Sequence, residues 1–220
     1  MALILNIETT TTNCSVSLSK EGGILVLQED YNTKFTHAEF LHVFIEDVVR
    51  SSKIKLSDID AIAVSKGPGS YTGLRIGVSA AKGLCFALNK PLISVPTLES
   101  LSHQVNIDIG VIVPMLDARR MEIYSAIFDA KHHQIRETQA QILDEGSFLE
   151  YLNKGKVYFI GNAVEKTKTI IQHENAFFID NKLPSAKEMG KLAFDKYIEN
   201  NFENVAYFEP FYLKDFINLS

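Results

Sequence analysis

The feature that most constrains the fold is the succession of strand patterns with which the chain opens. Leu3–Ile7 is an uninterrupted apolar run, which is typical of a central strand buried on both faces. Residues 14–19 then alternate between apolar side chains and serine, a period of two that indicates a strand with one covered face. Ile24–Tyr31 supplies a third strand after a glycine turn. The chain therefore opens as a three-stranded β-meander.

Two helical patterns and two further strands follow the meander. The first helix, Thr36–Ser52, begins with a capping box and carries a wide apolar stripe. Ile59–Val64 predicts a fourth strand, and the glycine-rich segment Gly67–Gly73 leads into a second long helix, Thr72–Leu88, with Thr72 as its cap. Leu92–Val95 predicts a fifth strand. The order β-β-β-α-β-α-β indicates an α/β lobe.

The remainder of the chain has the pattern of a second, less regular α/β set. Strands are predicted at Val111–Leu116, Ile123–Phe128, Val157–Ile160 and Ala176–Ile179, and Ser147 and Ser185 each begin a capping box for a helix. We expect an N-terminal lobe over residues 1–100 and a C-terminal lobe over 101–204. The aromatic tail, about 205–220, is expected to return to the first lobe.

Composition excludes several classes of protein. The 220 residues carry a net charge of −5 and no run of Lys and Arg, so tight autonomous binding of nucleic acid is not expected. Cys14 and Cys85 lie in apolar stretches without a C-x-x-C pair, which is typical of buried thiols in a reducing compartment. No signal-peptide pattern precedes the first strand, and no apolar run reaches the ~20 residues of a membrane span. We expect a cytoplasmic protein that does not enter membranes.

The polar turn between the first two strands is one candidate site. Amides and hydroxyls of such a hairpin can bind phosphate, and the glycine-rich loop before the second helix offers a further anion site. The candidate phosphate contacts are Glu8, Thr9, Thr10, Thr11, Gly69 and Ser70. The turn itself contains no glycine that would let a phosphate approach closely, so a structural turn satisfied by its own hydroxyls remains open.

The glycine-rich segment does not carry a Walker A loop, because Leu74 and Arg75 follow Gly73 where that loop has Lys and Ser or Thr. Small residues nevertheless recur along the second helix, at Gly73, Gly77, Ala80, Ala81 and Gly83. A glycine inside a helix costs about 1 kcal/mol relative to alanine. These residues therefore indicate close approach of another backbone, either within the fold or across a subunit interface.

Metal and hydrolytic chemistry have little support in the sequence. The six histidines form no H-E-x-x-H pair, and there is no G-x-S-x-G elbow. The histidines are interpreted as solvated or core side chains, and no metal ligand is assigned.

The segment Gly67-Pro-Gly-Ser-Tyr-Thr-Gly-Leu-Arg-Ile-Gly77, followed by Ala81-Lys-Gly-Leu84, resembles the signature of the TsaB (YeaZ) family. Asp117-Ala-Arg-Arg-Met-Glu-Ile-Tyr124 and the closing Pro210-Phe-Tyr-Leu-Lys214 are similar to further segments of that family. The resemblance covers nearly the whole chain.

The resemblance implies a two-lobed actin/Hsp70-like (ASKHA) fold and a non-catalytic role. The protein would pair with the catalytic paralogue TsaD, with the ATPase TsaE joining them, for threonylcarbamoyl transfer to N6 of adenosine 37 in tRNAs that read ANN codons. It would form a homodimer when alone and meet tRNA only through the complex. Thr97 and Leu101 stand where TsaD has metal-binding histidines, so ATP and metal are expected on the partners and no cofactor here.

The two long helices of the first lobe are the expected partner surface, used by the homodimer and the TsaD pair alike. The predicted partner-binding residues are Phe40, Leu41, Phe44, Thr72, Gly73, Arg75, Ile76, Gly77, Ala80, Ala81 and Leu84. The alternative from the same superfamily is a nucleotide-binding enzyme, a weak ATPase or a small-molecule kinase. A metallopeptidase is a third hypothesis, which the missing ligand set disfavours.

Overall fold

The computed structural model describes residues 2–31 and 37–213. The contacts between these residues divide them into two compact units. The described residues of unit 1 lie within Met1–Ser100 and Pro184–Phe211, and those of unit 2 lie within Leu101–Leu183 and Tyr212–Ser220.

Unit 1 is built on a five-stranded mixed sheet. Its strands are β1 (Leu3–Glu8), β2 (Cys14–Lys20), β3 (Gly23–Asp30), β4 (Ala61–Gly67) and β5 (Leu92–Pro96). They lie in the order β3-β2-β1-β4-β5, with the first three antiparallel and β4 and β5 parallel to β1. The central β1 is buried on both faces, which explains its uninterrupted apolar sequence.

Helices cover both faces of this sheet. They are α1 (His37–Ser51), α2 (Tyr71–Leu88) and α6 (Ala186–Ile198). Leu41, Ile45 and Val48 recur at helical spacing and place α1 in one core cluster with α2. Met189 and Ala193 of α6 join Ile4 of β1 in a separate cluster built from the alternate residues of the strands.

Unit 2 repeats the same topology. Its strands are β6 (Val111–Asp117), β7 (Glu122–Asp129), β8 (Gln134–Ile142), β9 (Val157–Ile160) and β10 (Ala176–Ile179). The order is β10-β9-β6-β7-β8, an antiparallel meander of three strands followed by two strands parallel to β6. Two short helices, α4 (Leu149–Leu152) and α5 (Val164–Ile170), contribute Leu152 and Val164 to its core. The α/β prediction of two mixed sheets with flanking helices is confirmed.

Several local predictions differ from the structure. Helix α2 is capped by Ser70, whose hydroxyl accepts the Gly73 N–H, and not by Thr72. Helix α4 has Phe148 at its N-cap in a left-handed conformation, so the capping box predicted from Ser147 does not form. The short helix α3 (Thr97–Ser102), together with α5 and β8, was not predicted. The capping box predicted at Thr36 lies outside the described residues.

Pro184–Phe211 belongs to unit 1 by its contacts. Residues 101–204 were predicted to form the second lobe, whereas α6 and the chain up to Phe211 lie in unit 1. Val205 and Phe208 pack against the core of unit 1, and Lys82 donates to the carbonyls of Ala206 and Phe208 at 3.2 and 2.9 Å. In the part of the chain that the structure describes, no helix has the length and apolar character needed to cross a membrane.

Candidate functional site

The acidic residue at the end of β1 is fully buried and fully engaged. One carboxyl oxygen of Glu8 accepts the backbone N–H and the hydroxyl of Thr10 at 2.6 and 2.5 Å, and the other accepts the hydroxyl of Ser65. Burial raises the pKa of the Glu8 carboxyl, against the lowering effect of these hydrogen bonds. The parallel pairing of β1 with β4 brings Glu8 and Ser65 together.

Thr97 extends this buried network to the end of β5. Its hydroxyl accepts the Gly67 N–H at 3.1 Å and lies 3.3 Å from the hydroxyl of Ser65. Leu101, one turn further along α3, is completely buried. Among residues 2–31 and 37–213, no three His, Cys, Asp or Glu side chains are grouped so that they could hold a metal ion. The positions compared above with metal ligands of TsaD therefore carry packing and internal hydrogen bonds.

Thr9 occupies the notch that two glycines of α2 create. Its hydroxyl donates to the Gly73 carbonyl at 2.8 Å. A Cβ at Gly73 would lie 2.0 Å from the Thr9 carbonyl oxygen, and one at Gly77 would lie 2.3 Å from the Thr9 hydroxyl oxygen. These two glycines are therefore required by the fold of unit 1 itself, which answers the question that the sequence left open for them.

The glycine-rich loop packs equally closely on the hairpin. A Cβ at Gly69 would lie 2.5 Å from the Thr10 Cβ, and the Ser70 N–H donates to the Thr10 carbonyl at 2.7 Å. The Thr11 carbonyl accepts a hydrogen bond from His37 Nε2 at 2.6 Å. The predicted phosphate contacts therefore lie together in one packed cluster. In this cluster Glu8 contributes a carboxyl group, and the Thr10 and Ser70 amides are already hydrogen-bonded to Glu8 and to the Thr10 carbonyl.

The predicted partner-binding residues fall on two sides of helices α1 and α2. Leu41, Gly73, Gly77 and Ala81 are buried and face the core, so these four are corrected: they contribute no outer surface. Partly or fully exposed residues form the other side, and they are Phe40, Phe44, Thr72, Arg75, Ile76, Ala80 and Leu84.

The outer face of α2 is unusually poor in charge. Its exposed positions include Thr72, Arg75, Ser79, Gly83 and Phe86, of which only Arg75 is charged. Phe86 is 87% exposed, and a Cβ at Gly83 would meet nothing within 4 Å. A solvent-facing helix surface normally carries charged or polar residues.

Helix α1 also has exposed apolar residues, beside its exposed Glu39, Glu46 and Arg50. Val43 is 48% exposed, and the half-buried rings of Phe40 and Phe44 stack at 5.9 Å. Sequence reasoning counted Gly83 among the small residues of the helix but not among the partner-binding ones, and it missed Val43, Ser79 and Phe86. Val43 lies three residues after Phe40 and Ser79 four after Arg75, a spacing that places each pair on one side of its helix.

The turn between β6 and β7 is held by Asp117. Its carboxylate accepts the Arg119 N–H at 2.7 Å and the ammonium of Lys166 at 2.8 Å. Arg119 and Arg120 both have positive φ, 69° and 50°. The turn therefore presents two exposed arginines from a left-handed backbone that non-glycine residues rarely adopt.

The two sheets have the same strand order, a three-stranded meander continued by parallel strands, which is the duplicated α/β topology that the actin/Hsp70-like resemblance implied. A family model described as TsaD, tRNA N6-adenosine threonylcarbamoyltransferase, matches residues 31–217.

Relatives that match most of the chain identify its family more narrowly. The tRNA threonylcarbamoyladenosine biosynthesis protein TsaB of Escherichia coli (strain K12) is 28% identical over 96% of this chain and 94% of its own. TsaB of Bacillus subtilis (strain 168) is 30% identical over 77% and 75%. YeaZ from Pseudomonas aeruginosa superposes with a TM-score of 0.82 at 25% identity, over 97% of this chain and all of that one. The chain belongs to the TsaB (YeaZ) family, as the resemblance predicted.

Proposed function

We propose that this chain is a non-catalytic, cytoplasmic subunit that pairs with a TsaD-like catalytic subunit and so supports tRNA threonylcarbamoyladenosine formation. The TsaD-like partner performs the transfer to N6 of adenosine 37 in tRNAs that read ANN codons, and a TsaE-like ATPase joins the pair. ATP and metal bind to these partners, and tRNA is met through the complex. The names of the relatives support the pathway, because they are tRNA threonylcarbamoyladenosine biosynthesis proteins.

The exposed apolar residues of α1 and α2 are the observation that supports this pairing surface. The exposed positions of α2 include Phe86 and small residues and have one charged residue, Arg75, and α1 adds the exposed Val43. When a second helix pair packs on such a face, the apolar area is removed from water. This burial stabilises the pair by about 25 cal/mol per Å², before the costs of association are subtracted. Gly83 permits close approach because no atom lies within 4 Å of its Cβ position.

The interior of the hairpin supports the non-catalytic role. An ASKHA nucleotide site needs amides that point at phosphate, yet the Thr10 and Ser70 amides bond inside unit 1. The Glu8 carboxyl accepts the Thr10 amide and hydroxyl, so these donors are already used. These contacts disfavour the alternative of an ATPase or small-molecule kinase.

The substitution Gly83→Arg tests this surface. We expect it to abolish co-purification with the TsaD-like protein of the same organism, because a long cation would be buried at the helix–helix contact without a partner. The fold is expected to survive, since a Cβ added at position 83 meets nothing within 4 Å and arginine is a better helix former than glycine. Circular dichroism and the melting temperature check this.

Ile198→Arg is the matched control. It adds the same charge at a residue of unit 1 that is 59% exposed at the end of α6, away from the proposed surface. It should pair normally. Normal pairing of a folded Gly83→Arg protein would show that the partner binds elsewhere.

A further inference from the structure

Two histidines of unit 2 stack on each other. His103 is the first residue after α3, and His132 lies in the turn between β7 and β8. Their rings are nearly parallel, with 17° between the planes and 4.1 Å between the centres. The hydroxyl of Ser102 lies 3.4 Å from Nδ1 of His132, so two contacts hold the turn to the end of α3. Imidazoles change their charge between pH about 5 and 8, so this attachment can respond to pH.

The turn is also braced by its own hydrogen bonds. The carboxylate of Asp129 accepts the N–H groups of Lys131 and His133 at 2.8 and 2.9 Å. The Asp129 carbonyl accepts the N–H of His132 at 3.0 Å. The bond from the His133 N–H, followed by that from Lys131, lowers the pKa of the Asp129 carboxyl, which therefore stays ionised while the histidines titrate. The turn can thus keep its form whether or not it contacts α3.

The ring of His132 is neutral at pH 7. Burial lowers its pKa below the usual 6.5, and the negative charge of Asp129 opposes this effect only in part. Lys131 and His133, the other charged or titratable groups of the turn, are both exposed. A second proton on the stacked pair would place two positive charges on rings whose centres are 4.1 Å apart, an arrangement that like charges disfavour.

We propose that the His103–His132 stack is an acid-sensitive clasp, which holds the β7–β8 turn against the end of α3 when the rings are neutral and releases it when both are protonated. Two imidazolium rings repel each other at the stacking distance, and each gains hydration when they part. The stability that the neutral His132 contributes is complete above pH 6.5 and is lost as the pH falls through the lowered pKa of the folded protein. The clasp lies within unit 2 and does not rest on the proposed function.

Nuclear magnetic resonance on the intact chain tests the clasp. The pH is lowered from about 8 until the imidazole Cε1–H shifts show that both rings are protonated, and the nuclear Overhauser contact between the two rings is followed. We expect this contact when the rings are neutral and its loss when both are charged. Contacts within the turn, between Asp129 and His133, should remain throughout. A ring contact that persists with both rings protonated, or unfolding of the whole chain before that point, would overturn the proposal.

His103→Phe separates charge from stacking. Phenylalanine keeps an aromatic ring that can pack on His132 but takes no proton, so we expect the ring contact to remain at the acid end of the titration. His42→Phe is the matched control, because it makes the same change at an exposed histidine of α1, and it should lose the contact as the unsubstituted protein does. Loss of the contact in both variants at the same pH would show that charge repulsion is not the cause. The titration of the unsubstituted protein decides the proposal even where His103→Phe does not fold.

Discussion

At the scale of single residues, Glu8 determines the character of the hairpin. The side chain lies at the end of β1, in the hairpin where phosphate contacts were predicted. In this chain its oxygens are used by Thr10 and Ser65 inside unit 1. A buried carboxyl with a raised pKa holds its proton more tightly in the folded than in the unfolded state.

Glu8→Gln should make stability less dependent on pH. The folded pKa of Glu8 lies above the unfolded value of 4.5, so the stability contributed by the neutral carboxyl is complete below pH 4.5 and is lost as pH rises through the folded pKa. Glutamine is neutral at every pH, and its side-chain oxygen can still accept the N–H and the hydroxyl of Thr10. The urea midpoint of the variant, relative to that of the unsubstituted protein, should therefore be higher at pH about 7 than at pH about 4. A difference between the two proteins that stays constant with pH would contradict this assignment.

At the scale of secondary-structure elements, α2 uses its small residues for two purposes. Gly73 and Gly77 face inward and receive Thr9, whereas Gly83 faces outward with open space around it. The sequence shows three similar glycines, and only the structure separates the two that the fold requires from the one that it does not.

Gly73→Ala and Gly83→Ala form a matched pair on this helix. The first places a Cβ 2.0 Å from a backbone oxygen of Thr9, so the free energy of unfolding should fall by about 3 kcal/mol as the hairpin is displaced. The second adds a Cβ in open space and should raise stability by about 1 kcal/mol. Chemical denaturation of both variants measures the two effects. Equal changes in both would mean that Thr9 does not pack against Gly73.

The elements that could be predicted are those with a strong hydrophobic period. α1 and α2 and the strands of unit 1 bury regular apolar faces, and these were found. β8 was missed because it is an edge strand whose residues are mostly exposed and polar, so it lacks an apolar alternation. α5 is short and contains two β-branched threonines, which weaken the helical signal.

The hairpin residues Glu8, Thr9 and Thr10 were predicted as a group, but their arrangement was not. The contact of Thr9 with Gly73 joins residues 64 apart in sequence, and no local pattern encodes it. The inward turn of Leu41 and Ala81 likewise follows from how α1 and α2 rest on the sheet, which the helical period alone does not orient.

At the scale of the whole molecule, the proposed function assigns one surface to two assemblies. The apolar face of α1 and α2 would be covered in a homodimer when the chain is alone and by the TsaD-like subunit in the complex. The two assemblies are then mutually exclusive.

Light scattering during size-exclusion chromatography tests this competition. We expect the isolated chain to be a dimer and to become a one-to-one pair when the TsaD-like protein is added, with no species that contains two copies of this chain on one partner. Gly83→Arg should be a monomer and remain one. A stable assembly in which the homodimer persists while the partner is bound would disprove the shared surface.

The seating of Thr9 between Gly73 and Gly77 also constrains how this lineage can change over time. A larger residue at either glycine position collides with Thr9, and a smaller residue at position 9 leaves a hole beside α2. The three positions should therefore covary among homologues. A hairpin that binds a ligand could not arise by one mutation, because the loop and the helix would have to be replaced together.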